Sequence, residues 1–384
     1  MLKRRDLFLG LLTGSIAIAY GVAQRGGARS AAKRDPHPKA VDAANPASLL
    51  QKATSWAYQL QNYDFRELAA SDADILVVDY SISGDDRNRF TGDVVRLLQK
   101  KADGSRRLVL AYVSIGEAEA YRFYWKPEWI ETVPAASPFA PTPAPSPAAT
   151  GGPHTEPMTP GGHATPALPA TGVPAETRPE RRLSTLAPAW LGSENESWSG
   201  NFFVRYEDPQ WQSIFIDGPQ SYLSRVINAG FDGVYLDRVD AFYEHPDHRP
   251  DAAQQMLEFV TRIAQQARAA KPDFLIVPQN GEELLSRPGY AQMIDAIAKE
   301  DLLFGSPDHG MANTTEQIAN SLRWLSMAKR KGRRVLVVEY LDDPETVVGA
   351  RAKIAQMGFI PSFAPRGLDQ LSPLAVPQHE EPLR

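Results

Sequence analysis

Gly233-Val234-Tyr235-Leu236-Asp237 is a short apolar run that meets its first charge only at its last residue. Strands exposed on one face alternate apolar and polar residues, so an unbroken run of this length reads as a strand buried on both faces, as in a parallel sheet. Outward from it, seven more runs have the same form: Trp56–Leu60, Ile75–Tyr80, Leu108–Val113, Phe274–Asn280, Ala296–Glu300, Val335–Tyr340 and Gly358–Phe363. Helical patterns such as Ala252 to Ala270 and Thr315 to Lys331 lie between them with the spacing of crossover helices. Eight strand–helix repeats predict an α/β fold of the (β/α)8 TIM-barrel type. A doubly wound open sheet would carry a glycine-rich phosphate turn after its first strand, and no such turn follows Trp56–Leu60.

Thirteen of the 32 prolines fall between Pro134 and Pro179. That stretch is built of Pro, Ala, Thr and Gly, with too few large apolar residues to offset the entropy of ordering it. Residues 134–187 are therefore expected to be a disordered insertion after the third strand, within a barrel spanning 55–372, with 373–384 as a tail. The N-terminus opens Met1-Leu2-Lys3-Arg4-Arg5-Asp6 before an apolar run from Leu7 to Ala23. The Arg4-Arg5 pair has the form of a twin-arginine export signal over 1–23, with small residues Gly21-Val22-Ala23 at its end; left uncleaved, it would serve as a membrane tether. Polar, basic residues 24–54 read as a flexible linker, and the expected location is periplasmic or extracellular.

Across 384 residues the formal net charge is −5, which lacks the basic excess of a nucleic-acid binder, so no nucleic-acid partner is expected. The chain has no cysteine, which excludes disulfides, thiolate metal sites and a cysteine nucleophile. No nucleophile elbow, Walker loop or zincin motif occurs, and His245-Pro246-Asp247-His248 reads as a polar loop. Neither a metal nor a cofactor is expected.

Nearly every run ends in an acid, amide or tyrosine: Asp79-Tyr80, Tyr112 with Glu117, Asp237 with Asp240, Asn280 with Glu282, Glu300, and Glu339-Tyr340. In a barrel these ends meet on one face, where active sites are built. Facing carboxylates whose environments separate their pKa values can divide the roles needed to break a glycosidic bond. Aromatic residues near the strand ends, among them Trp56, Tyr124, Trp125, Trp198, Tyr206, Trp211 and Tyr235, could pack on sugar rings.

Ala111-Tyr112-Val113-Ser114-Ile115-Gly116-Glu117-Ala118-Glu119, followed by Tyr121-Arg122 and Tyr124-Trp125, resembles the signature of glycoside hydrolase family 114. It is closest to the secreted branch related to endo-α-1,4-polygalactosaminidases. Gly230–Asp240, Pro278–Glu283 and the run into Lys299-Glu300-Asp301 match in the same order. The resemblance implies a retaining mechanism without metal, galactosamine-containing polysaccharide as substrate, and catalytic carboxylates Asp237 and Glu300 after strands 4 and 6. Asp237 is then the expected nucleophile, held ionised beside Arg238. Glu300, followed by Asp301, is the expected acid and base and should titrate higher. Asp79, Tyr80, Tyr112, Glu117, Asp240, Asn280, Glu282, Glu339 and Tyr340 are the expected substrate contacts. The rival function is a surface carbohydrate-binding protein that keeps the barrel without turnover.

Overall fold

The computed structural model describes residues 45–133, 180–243, 250–306, 308 and 310–372. All eight runs form strands: β1 (Trp56–Tyr58), β2 (Ile75–Asp79), β3 (Leu108–Ser114), β4 (Gly233–Asp237), β5 (Leu275–Pro278), β6 (Ala296–Glu300), β7 (Arg334–Glu339) and β8 (Ile360–Phe363). They pair in parallel in two sheets, β1-β2-β3-β4-β5 and β6-β7-β8. The sheets touch at both edges. On one side Gln279 bridges Ala298, and the Asn280 N–H donates to the Ala298 carbonyl at 2.9 Å. On the other the Trp56 indole Nε1 donates to the Ile360 carbonyl at 2.9 Å.

Alternation along each strand sorts the side chains into two layers. Trp56, Tyr58, Ile75, Val77, Leu108, Leu110, Tyr112, Tyr235, Leu275, Val277, Ala296, Ala298, Leu336, Val338, Tyr340 and Ile360 form one buried cluster drawn from all eight strands. The opposite parity, including Leu76, Val109, Val234, Ile276, Ile297 and Val337, packs with the helices. Helix Ala252–Ala270 turns Met256, Phe259, Val260, Ile263 and Ala267 to that layer at helical spacing.

Between β3 and β4 the chain adds a three-stranded antiparallel sheet of Glu117–Glu119, Asn201–Val204 and Leu191–Glu194, and a hairpin of Ile130–Val133 with Glu180–Leu183. The hairpin corrects one boundary, since residues 180–187 are ordered rather than part of an unstructured insertion. Ser184 donates to the Glu128 carbonyl at 2.5 Å and accepts from the Leu186 N–H, fixing the return of the chain. The rest of the predicted insertion lies outside the described residues, as do the export signal and the tail. The expected linker also ends earlier than predicted. Pro46–Lys52 is a helix capped by the Asn45 side chain, with Leu50 buried against the inner cluster.

Trp56→Phe keeps most of the ring volume but removes the indole N–H at the β8 edge. We expect a loss of about 1–2 kcal/mol in urea unfolding, with the carbonyl of Ile360 left without its donor.

Candidate functional site

The inner parity of β4 and β6 carries Asp237 and Glu300 to the carboxyl ends of their strands, above the Tyr58–Tyr112–Tyr235 cluster. Asp237 accepts from the Tyr112 hydroxyl at 2.6 Å and from the Arg238 N–H at 2.7 Å. Glu300 accepts from the Asn280 amide at 3.0 Å and from the Tyr340 hydroxyl at 2.9 Å. Each carboxylate is thus fixed by one tyrosine and one second donor.

Three non-glycine residues near the ends of these strands hold left-handed backbone: Arg238 (φ 61°), Asn280 (φ 59°) and Asp301 (φ 53°). Such conformations cost energy and persist only where surroundings enforce them. For Arg238 the enforcement is visible. Its guanidinium pairs with Glu117 at 3.0 Å, and Glu117 also accepts from Asn195 at 2.7 Å and Asn201 at 3.0 Å. Gly116 lies so close to the Arg238 carbonyl that a β-carbon there would sit 2.2 Å from it, so only glycine lets this loop approach.

The two carboxyls share one electrostatic field. Burial, and then the charge of Glu300, push Asp237 up to about 7, against the opposing Tyr112 hydrogen bond and Arg238 charge. Arg238 therefore does not hold Asp237 ionised as expected: desolvation and the like charge outweigh its guanidinium, which is engaged by Glu117. Burial draws the Lys299 ammonium down, but the charges of Glu282, Asp240, Glu300 and Asp301 outweigh it, so its pKa is raised.

Tyr112, Asn280 and Tyr340 reach the pair directly, whereas Asp240 acts on Asp237 through its charge. Glu282 sits with Lys299 at 3.5 Å and accepts from Ser321 at 2.7 Å. The other four predicted contacts are turned to protein groups. Asp79 is buried against Arg122 at 2.7 Å, and the Tyr80 hydroxyl donates to the Gly84 carbonyl. Glu117 braces Arg238, and Glu339 accepts the Leu303 and Phe304 N–H groups of the loop after β6. Tyr80 and Glu339 have the outer parity of their strands, which alternation alone could have revealed. Most of the aromatics expected against sugar are also internal: Trp56, Tyr124, Trp125, Tyr206, Trp211 and Tyr235 pack in the two hydrophobic clusters, while Trp198 is 46% exposed. Lys299 and Arg366 were missed; Arg366 follows β8 in a segment with no motif.

The parallel strands, with a carboxylate at the end of β4 and another at the end of β6, define an α/β protein. The profile of glycoside-hydrolase family GH114 matches residues 173–376, and the chain belongs to that family. It is 31% identical over 295 residues to the uncharacterized protein MJ1477 of Methanocaldococcus jannaschii, covering 75% of this chain and 66% of that one. An uncharacterized protein of Deinococcus radiodurans is 30% identical over 374 residues, with 96% and 98% covered. Among solved structures, the glycoside hydrolase domain of PelA from Pseudomonas aeruginosa is similar in fold. It has a TM-score of 0.52 at 16% identity, with 83% of this chain and 97% of that one covered.

The raised carboxyl makes folding depend on pH. A folded pKa of about 7 lies above the unfolded value near ~3.9, so the folded state holds the extra proton between these values. The contribution of Asp237 to stability is therefore greatest below the unfolded pKa and is lost as pH rises through 7. Asp237→Asn removes this dependence. Its melting temperature relative to the wild type should climb by about 4 °C or more between pH 4 and pH 8, read by differential scanning calorimetry.

Proposed function

We propose that this chain is an exported retaining glycoside hydrolase, with Asp237 as nucleophile and Glu300 as acid and base, acting on a hexosamine-containing polysaccharide. The observation that carries the reading is the pair itself: two carboxyls at the ends of β4 and β6, each fixed by a tyrosine hydroxyl and coupled through their charges. The cluster of inner residues from all eight strands, and the contacts at both sheet edges, support reading the two sheets as one (β/α)8 barrel with the pair at its mouth.

The coupling suits the first step. That step needs a proton on Glu300. When Glu300 holds that proton its charge disappears, and with it the second-largest cause of the raised pKa of Asp237. The Tyr112 hydroxyl and Arg238 then favour ionised Asp237. In that state Asp237 attacks the anomeric carbon, the glycosidic C–O bond breaks, and the Glu300 proton goes to the leaving oxygen. Glu300, now ionised, takes a proton from water as the water oxygen bonds to the anomeric carbon and the Asp237 ester bond breaks.

Galactosamine-containing polymer should yield reducing ends, and Asp237→Asn and Glu300→Gln should each lower kcat by about 10³-fold or more. Azide separates the roles. With an activated glycoside, Asp237→Gly plus azide should give a glycosyl azide of inverted configuration, and Glu300→Ala plus azide one of retained configuration. Exchanged configurations would reverse the assignment, and polymer binding without release by the wild type would show a carbohydrate-binding protein instead.

A further inference from the structure

The two tyrosines that serve the carboxylates each lie beneath an arginine, but in different settings. Arg122, 5.8 Å from the Tyr112 ring centre, is fully buried between Asp79 and Glu119, so its charge is already met by two anions. Arg366 is 41% exposed at the side chain and pairs with one carboxylate. Its guanidinium stands 4.6 Å from the Tyr340 ring centre, and its Nη1 donates to Asp301 Oδ2 at 2.6 Å. Tyr340 donates to Glu300, and Asp301 is the residue that directly follows Glu300 in the chain. One side chain therefore holds the neighbours of Glu300 from two directions.

The loop that presents Arg366 is itself fixed. The Ala364 N–H donates to the Glu339 carbonyl at 3.2 Å, and the Leu60 N–H and Gln61 side chain donate to Leu368 and Gly367 at 2.8 and 2.7 Å. Leu368 is buried in the inner cluster with φ 49°. The arginine thus starts from a rigid base, so stacking and pairing cost it less side-chain freedom than they would on a mobile loop.

We propose that Arg366 is the positioning residue for Glu300, clamping Tyr340 by stacking and Asp301 by an ion pair so that the carboxyl stays aimed and its charge is balanced. The glycosidase meaning of the clamp rests on the proposed function; the clamp itself does not. The groups acting on Glu300 are Asp237 and Tyr235 from β4, Asn280 after β5, Lys299 and Asp301 beside it, Tyr340 after β7, and Arg366 after β8. Removing the arginine takes away one cation and leaves the Asp301 charge less opposed, with Lys299 still beside it. Both changes disfavour ionised Glu300, so its titration must move up.

The test uses full-length protein labelled with 13C at the glutamate carboxyls, in an Asp237→Asn background that removes the coupled partner. The Glu300 signal is assigned by its loss in Glu300→Gln. Arg366→Met should raise the Glu300 midpoint by about half a pH unit or more, and Arg366→Lys should recover part of that shift. Should Arg366→Met lose its near-ultraviolet dichroism, Tyr340→Phe, which deletes only the hydroxyl link, should still raise the midpoint. In the Asp237-containing enzyme, Arg366→Met should lower kcat about tenfold with KM within about twofold. An unmoved midpoint in a folded Arg366→Met protein overturns the proposal, as does a lysine variant no different from the methionine one. Because the titration is read without turnover, a wild type that cleaves no glycan would sink the proposed function and leave this result standing.

Discussion

A carboxylate withdrawn from water must receive hydrogen bonds from groups that cannot leave, and the ends of β4 and β6 are organised around doing so twice. Burial alone would neutralise Asp237, and the Glu300 charge adds to that tendency. Tyr112 and the Arg238 N–H oppose it on one side; Asn280 and Tyr340 serve Glu300 on the other. The tyrosines are placed by strand parity, so their hydroxyls are delivered from the inner cluster. Their rings fill the top of the inner cluster while their hydroxyls meet the carboxyls, which lets one residue type close the core and serve the site.

The left-handed residues follow from the same demand. A strand that continued in extended backbone past Asp237 or Glu300 would carry the next residue away along the strand direction. Turning at Arg238 lets its own N–H reach the Asp237 carboxyl, and turning at Asp301 brings its carboxylate to Arg366. The compensation lies in the segment between β3 and β4. Asn195 and Asn201 flank the loop of one antiparallel hairpin and converge on Glu117, which grips Arg238. That added sheet therefore shapes the site without supplying either carboxylate.

The eight strands were legible because burial on both faces leaves unbroken apolar runs, and the two carboxylates because they end such runs inside recognisable motifs. Which polar strand-end residues face the pair was only half legible. Tyr80 and Glu339 are one residue out of phase with the inner positions Val77 and Val338, a difference the alternation of Ile75–Asp79 and Arg334–Glu339 contains. Asp79 has the inner phase and still turns to Arg122, because a charge buried beside it is a stronger partner than the distant pair. The pairing of Glu117 with asparagines about 80 residues away depends on a tertiary contact that no local pattern encodes. The ordered start at Glu180 was hidden for the opposite reason: its pairing with Ile130–Val133 is a two-stranded match with little apolar signature.

The Asp79–Arg122–Glu119 cluster shows how far the fold goes to hold one ring. Three charges out of water are costly, and such a cluster is not in itself a source of stability over apolar packing. Its geometry is tightly specified: Arg122 donates to both oxygens of Asp79 at 2.9 and 2.7 Å and to Glu119 at 2.6 Å, beneath the rings of Tyr80, Tyr112, Tyr121 and Tyr222. An apolar side chain of equal size could fill that space but would let the surrounding rings repack. A guanidinium pinned by two carboxylates has one orientation, and the rings around it inherit that constraint. Among them is Tyr112, whose hydroxyl must stay on Asp237 against the pull of burial. The buried charges therefore act on the site through direction, by leaving the tyrosine a single place to stand.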